Sequence, residues 1–243
     1  SLVGSEMCIR DRYEAGVEMG KFFADKGIKT AAIYGAFIPN PMHVYRTAGV
    51  LAGLGLSYGG ATTEEDVVGL IFADQGIDLS KISGDIKIVS YLQGYGDTTT
   101  DEINAAIQAA PEAFISVGMA TTFFTQQLYA AGIEFSDIDS FTKSNGEAIT
   151  NGKLVYLAGK YSSSVGPAFA LVMNAINGNV IRDAQGNAVS LSQNYQVATD
   201  SETFDKFYKN DNGDNPIYSR DTLDQIIGDT VTFDTINEVV ASN

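Results

Sequence analysis

The stretch AFISVGMATTFFTQQLYAAGI, Ala113 to Ile133, reads as one strand, one tight loop and one helix. Ala113 to Val117 is a short apolar run between Pro111 and Gly118, too brief for a helix and β-branched at its centre, which predicts a buried parallel strand. Thr121 or Thr122 offers an N-cap hydroxyl, Phe124, Leu128 and Ala131 recur at helical spacing, and Gly132 supplies a C-terminal stop. The loop Gly118 to Thr121 therefore sits at the carboxyl end of a strand. In open α/β sheets that edge collects ligands, because helix N-termini and free backbone groups meet there.

Working outward, the same alternation repeats. Tyr13 to Lys26 predicts a helix closed by Gly27; Thr30 to Tyr34 predicts a strand; Pro39 and Pro41 hold the loop GAFIPNPMH out of helix until Val44 to Leu54. Val67 to Phe72 reads as a strand and Asp78 to Gly84 as a surface turn. Ile86 to Leu92 is a strand followed by the loop QGYGDTT and a helix from about Thr100 to Ala109. Further strands are expected at Ile138 to Phe141 and Leu154 to Ala158, with a helical turn at Gly146 to Asn151 and a long helix at Ser163 to Asn177. The pattern predicts an α/β fold with a mostly parallel, doubly wound sheet. Beyond it, VIRDAQGNAVSL predicts a hairpin around Gln185 to Asn187, and Ser201 to Asn243 carries short helices.

The 243 residues carry a formal charge of −15, which repels phosphate backbones and anionic membrane surfaces, so no nucleic-acid partner is expected through this segment. No apolar run reaches the length of a membrane span. The opening SLVGSEMCIRDR resembles the translation of sequencing-adapter read-through, so residues 1–12, with the lone Cys8, are set aside as a non-native segment. The natural N-terminus is then expected to be missing, and the lack of a signal peptide carries no information.

Motifs for chemistry fail on their spacing. GYGD at 94–97 lacks the third glycine of a dinucleotide fingerprint, and there is no phosphate-loop lysine. DIDSFT at 137–142 has Phe141 where the phosphatase nucleophile loop wants Thr or Val. In NDNGDN, 210–215, Gly213 would put Tyr208 at the first calcium-ligand position, so a solvated turn is the reading. With His43 as the only histidine, neither a zinc cluster nor a Ser-His-Asp arrangement is suggested. No cofactor, no metal and no enzymatic activity are expected.

The order of segments carries a resemblance. YEAGVEMGKFFADKG with IKTAAIYG and the R-x-x-G-V of Arg46 to Val50, then PEAFISVGMATTFFTQQLYAAGI, then EAITNGKLVYLAGKYSSSVGPAFALVMNAINGNVI, together resemble the second lobe of type I periplasmic sugar-binding proteins of ABC importers. The likeness spans roughly Tyr13 to Tyr208. It implies a two-lobed protein that closes on a small solute, with residues 13–189 as the ligand-binding second lobe and 190–243 as a crossing segment that docks on a first lobe absent from this sequence.

The resemblance also implies site residues. Val44 falls at the family's ligand-facing position two residues before Arg46, with His43 beside it as a hydrogen-bonding group or a surface loop histidine. Arg46 reads as structural. Tyr95 matches an aromatic that stacks on a sugar ring. Gly118 and Met119 stand where the family has Asn-Asp, a departure that leaves fewer charged hydrogen bonds. Ser140 stands at the strand-end aspartate, with Asp139 just before it as a contact or a capping carboxylate. Lys160 and Tyr161 end the last strand, where the family often has glutamine, and Lys160 either serves the ligand or neutralises nearby acids.

The expected function is an extracytoplasmic, periplasmic or lipid-anchored, solute-binding component of an importer. It would be a monomer that takes a sugar-like solute and delivers it to a membrane permease. Two alternatives remain at this level, an effector-binding domain of a LacI-type transcription regulator and an α/β hydrolase-type enzyme using Asp137 and Asp139.

Overall fold

The computed structural model describes residues 3–95, 97–191, 193–213 and 216–242, with the side chains of 3–10 and 97–99 outside that description. Gly96 of the GYGD motif, the Cys8 side chain and Asp214–Asn215 of NDNGDN therefore lie outside the described residues. The strands are β1 (Thr30–Tyr34), β2 (Ser57–Tyr58), β3 (Ile82–Ser83), β4 (Lys87–Leu92), β5 (Ala113–Ser116), β6 (Glu134–Ile138), β7 (Leu154–Gly159) and β8 (Gln196–Ala198). The helices are α1 (Val3–Asp25), α2 (Pro41–Gly53), α3 (Glu64–Asp74), α4 (Asp97–Gln108), α5 (Ala120–Phe123), α6 (Thr125–Ala131), α7 (Lys143–Thr150), α8 (Gly166–Ile176), α9 (Ser201–Asn212), α10 (Arg220–Asp224) and α11 (Phe233–Ala241).

Six strands form one sheet in the order β4-β1-β5-β6-β7-β8, parallel throughout except for β8. This is the expected α/β architecture, a mostly parallel sheet flanked by helices. Its central strands bury nearly every side chain, which is why TAAIY and AFIS read as apolar runs rather than alternations. The antiparallel β8 pairs Gln196 with Gly159, bringing the chain back to the carboxyl end of β7. The expected hairpin forms as a turn closed by the Arg182–Ala188 bridge.

Local chemistry corrects three of the expectations. Val67 to Phe72 lies in helix α3: the Thr63 hydroxyl accepts the Asp66 N–H, and Glu64, Glu65 and Asp66 fill the first turn, where acids complement the helix dipole. The strand expected at Ile138 to Phe141 ends at Ile138, so Asp137 is a strand residue inside the protein. Neither Thr121 nor Thr122 is the cap of the helix after β5. Met119 holds that position at φ 69°, and the helix is broken at Phe124 into α5 and α6.

Helices α1 and α2 meet through glycines. An added Cβ on Gly16 would fall on the Arg46 carbonyl, on Gly20 against Val50, on Gly49 against Tyr13 and on Gly53 against Val17. Two G-x-x-x-G faces thus let the backbones touch, and α2 is pressed down so that His43 and Arg46 reach the sheet edge.

The apolar side chains fall into two clusters. The main core fills both faces of the sheet and includes Phe204, with Phe207 and Tyr208 packed against it, so that α9 closes over α7 and β8. Each such fully buried large side chain stabilises the fold by about 1.5–3 kcal/mol. A second, smaller cluster gathers Ala170 of α8, Ile181 after the helix, Ile226 after α10 and Ile236 of α11. The Asn174 side chain stitches this cluster together, donating to the Ile226 carbonyl at 2.8 Å and accepting the Gly228 N–H at 2.8 Å. The outer face of α8, with Val165 just before it, is apolar and bare: Val165, Phe169, Val172 and Ile176 are 50–71% exposed.

Candidate functional site

Because five strands run parallel, the segments that follow β4, β1, β5, β6 and β7 all emerge at one edge. The first two are tied together. The Tyr34 hydroxyl donates to the Gly94 carbonyl at 2.9 Å, and the Gly94 N–H donates to the carbonyl of Ala36, itself at φ 52°. This knot presents Tyr95, a residue 64% exposed. Tyr95 meets Phe37 edge-on at 5.0 Å and lies nearly parallel to Phe123, 17° apart with centroids at 5.8 Å. An aromatic shelf of three rings results, two of which, Phe37 and Phe123, the sequence reading did not select.

His43 lies behind the shelf, buried, with its ring 5.5 Å from Phe37. Its Nδ1 is 3.0 Å from the Phe37 nitrogen and 3.2 Å from the Phe37 carbonyl oxygen. The shorter contact requires an unprotonated Nδ1 that accepts the N–H. Burial favours the same neutral ring, pushing the pKa below the ordinary 6.5. Nε2–H is then a donor with no partner among the described residues, and it lies 3.6 Å from where a Gly118 side chain would begin. Gly118 is buried, and Met119 beside it is half-buried.

Asp137 anchors that loop from beneath. It is fully enclosed; one oxygen accepts the Thr121 N–H at 2.8 Å, and the other accepts the Ile138 N–H at 2.9 Å and the Ser116 hydroxyl at 3.3 Å. Burial raises its pKa to about 6, with the Asp139 charge adding to the rise. Asp137 and Asp139 do not present a carboxylate pair to solvent, because the first faces inward. Arg46 bridges the loops: Nη1 donates to the Val117 carbonyl at 2.9 Å and Nη2 to the Tyr195 hydroxyl at 2.8 Å. A buried guanidinium thereby joins α2, β5 and the segment leading into β8.

The remaining expected residues separate. Val44 is wholly buried in the main core, facing the sheet rather than the open edge, because the α2 stripe that includes Val44, Ala48 and Leu51 is the one that packs inward. Asp139 is half-buried with one oxygen accepting the Ser140 N–H at 2.7 Å, and Ser140 is exposed. Lys160 lies 4.8 Å above the Tyr195 ring and 3.4 Å from an Asp11 oxygen. Tyr161 is buried between Phe141 at 5.7 Å and Phe207 at 6.2 Å, drawn aside by that aromatic cluster. Four strand spacings separate the ends of β4 and β7, about 19 Å, so Tyr95 and Tyr161 sit at opposite ends of the edge.

A cavity of about 750 Å³ opens not over Tyr95 but at the β7–β8 end, where Lys160 and Tyr161 form part of its wall. Among the described residues no group of three or more His, Cys, Asp or Glu side chains is placed to hold a metal ion. No helix among them is long and apolar enough to cross a membrane.

No family model matches the sequence, and no curated protein matches it. Solved structures do. A periplasmic solute-binding protein of an ABC transporter from Actinobacillus succinogenes 130z, with bound D-allose, is similar at TM-score 0.55 and 15% identity over 81% of this chain and 61% of its own. The periplasmic binding protein of the arabinose ABC transporter from Shewanella sp. ANA-3 matches at 0.54 and 17% identity over 83% of this chain and 61% of its own. A galactofuranose-binding protein matches at 0.58 and 10% identity over 83% and 62%. At these identities the likeness is one of fold: the chain has the fold of type I periplasmic binding proteins, and it spans about three fifths of the length of the solved proteins it matches.

Proposed function

We propose that this chain is the second lobe of an extracytoplasmic solute-binding component of an ABC importer, taking a small polar, sugar-like solute for delivery to a membrane permease. The observation that carries the reading is the shelf of Tyr95, Phe37 and Phe123 at the carboxyl edge, with the His43 Nε2–H donor and the Gly118 backbone beside it. A pyranose or furanose offers a CH face for an aromatic ring and hydroxyls for donors and acceptors at its rim. The shared fold with proteins that bind allose and arabinose supports the choice of solute.

In this reading His43, Tyr95, Gly118, Met119, Asp139, Ser140 and Lys160 border one wall of a cleft, with Val44 and Tyr161 supporting it from within. Residues 13–189 carry the lobe, and the segment from 190 returns toward a first lobe. The bare stripe on α8 fits a surface that another lobe covers, since four apolar side chains at helical spacing are costly to leave in water.

The test is titration calorimetry and ligand-observed NMR of the chain with D-allose, L-arabinose and myo-inositol. At least one should bind saturably, and Tyr95→Ala should weaken it roughly tenfold, the worth of a stacking aromatic, without unfolding the protein. Absence of saturable binding to any of them, or full affinity in Tyr95→Ala, would remove the basis for this site.

A further inference from the structure

We infer that the 750 Å³ cavity at the β7–β8 end is a second carbohydrate seat, built by the C-terminal segment, which receives the added units of a short, uncharged oligosaccharide. The inference rests on the solute-binding reading and deepens it, since a cleft that ends in such a seat selects an oligosaccharide over a single sugar.

The geometry begins with β8. Pairing of Gln196 with Gly159 places the residues before β8 alongside the carboxyl end of β7, so Gln193, Asn194 and Gln196 arrive at the edge where Lys160 emerges. Helix α11 supplies Asn237 to the same cavity from another direction. Four carboxamides from two parts of the chain thus line one space. Gln193 is engaged, its Nε2 donating to the Ser164 carbonyl at 2.9 Å. The side-chain amides of Asn194, Gln196 and Asn237 make no hydrogen bond among the described residues.

A carboxamide offers an acceptor oxygen beside two N–H donors, which matches a sugar hydroxyl that both donates and accepts. Tyr218 and Phe233 add aromatic surface to the wall. Charge is nearly absent as a recognition element. Asp183 lines the cavity, but its oxygens accept the Gln185 and Asn187 N–H groups of its own turn. Lys160 is held over the Tyr195 ring, its ammonium 4.8 Å from the ring centroid. The chain's charge of −15 also disfavours an anionic ligand. The volume lies in the upper part of the range of about 300–1,000 Å³ found for small-molecule sites, more than one sugar ring requires.

The experiment is ¹⁵N NMR of the whole chain titrated with cellotriose, maltotriose and xylotriose, each against its monosaccharide and against glucuronic acid. The side-chain NH₂ signals of Asn194, Gln196 and Asn237 should move saturably with at least one trisaccharide and less with its monosaccharide. Asn237→Ala, and independently the more exposed Asn194→Ala, should each weaken that trisaccharide roughly tenfold while leaving monosaccharide binding unchanged. Tyr95→Ala separates the two sites. If it has no effect while Asn237→Ala does, the aromatic-shelf reading fails and the seat stands; the reverse result overturns the seat alone. Unmoved NH₂ signals with all three trisaccharides, or tighter binding of glucuronate than of the neutral sugars, overturn the seat as well.

Discussion

Replacing Asp137 by asparagine tests how the loop at Gly118 to Thr121 is held. Burial, reinforced by the Asp139 charge, raises the carboxyl from 3.8 to about 6 against the opposing pull of the Thr121 and Ala120 N–H groups. Tyr34 is the other titratable neighbour coupled to it, and the Asp137 charge helps to raise that phenol. The folded chain therefore holds this proton more tightly than the unfolded chain. Between the two values the native state carries the extra proton, so stability falls as pH rises. Moving a carboxyl from 3.8 to about 6 corresponds to about 3 kcal/mol, a contribution fully present below 3.8 and lost by the time pH has passed about 6. The carboxamide of the Asp137→Asn variant does not titrate. Urea unfolding of both proteins from about pH 4 to about pH 7.5 should show the stability of wild type minus that of Asp137→Asn falling by about 2.4 kcal/mol, the part of that contribution still present at pH 4, and the subtraction cancels the other carboxylates. The offset is a separate matter. Asparagine has one acceptor oxygen where Asp137 uses two, so the Thr121 or the Ile138 N–H loses its partner at a cost of about 1–3 kcal/mol at every pH. A difference flat to within about 0.5 kcal/mol over the whole range would refute the argument.

Arg46→Met should lower stability by about 2–4 kcal/mol, since the Val117 carbonyl and Tyr195 hydroxyl lose their donor; Arg46→Lys should recover no more than half, because one ammonium does not span both. Urea midpoints decide it, and a wild-type midpoint in Arg46→Lys would count against the bridge. Gly49→Ala should cost about 1–3 kcal/mol, because the added methyl falls on the Tyr13 carbonyl and forces α1 away from α2. Gly69→Ala on α3, where nothing approaches, serves as the control and should be neutral or slightly stabilising.

Much of the architecture is legible in the chain because its signals are local. AFISVG and TAAIYG are short apolar runs ended by glycine, and Gly132 stops the helix after Phe124 and Leu128 through its left-handed φ of 71°. From such units the parallel sheet and its ligand-bearing edge follow without knowledge of any distant contact. Val67 to Phe72 escaped the reading because VVGLIF is apolar at every period. The Thr63 cap and the three acids after it were the signal that could have identified α3.

The site was legible only as a set of loops. That Tyr95 and His43 belong to one cluster while Tyr161 turns away is decided by strand order and by the pull of Phe141 and Phe207, which come from opposite sides of it in sequence. The expected strand from Ile138 to Phe141 left Asp137 just outside it, because a charged residue inside a strand is costly. Only the Thr121, Ile138 and Ser116 donors, brought together by β5–β6 pairing, make it tolerable. Arg46 joins Val117 and Tyr195 across 71 and 149 residues, and the cavity amides Asn194, Gln196 and Asn237 come from the β8 region and α11. The sequence alone determined the periodicities, and hence the elements and the edge at which parallel strands end, because hydrophobic spacing acts between near neighbours. Which side chains share that edge was decided by tertiary structure, because long-range pairing and burial choose among contacts that local spacing leaves equivalent.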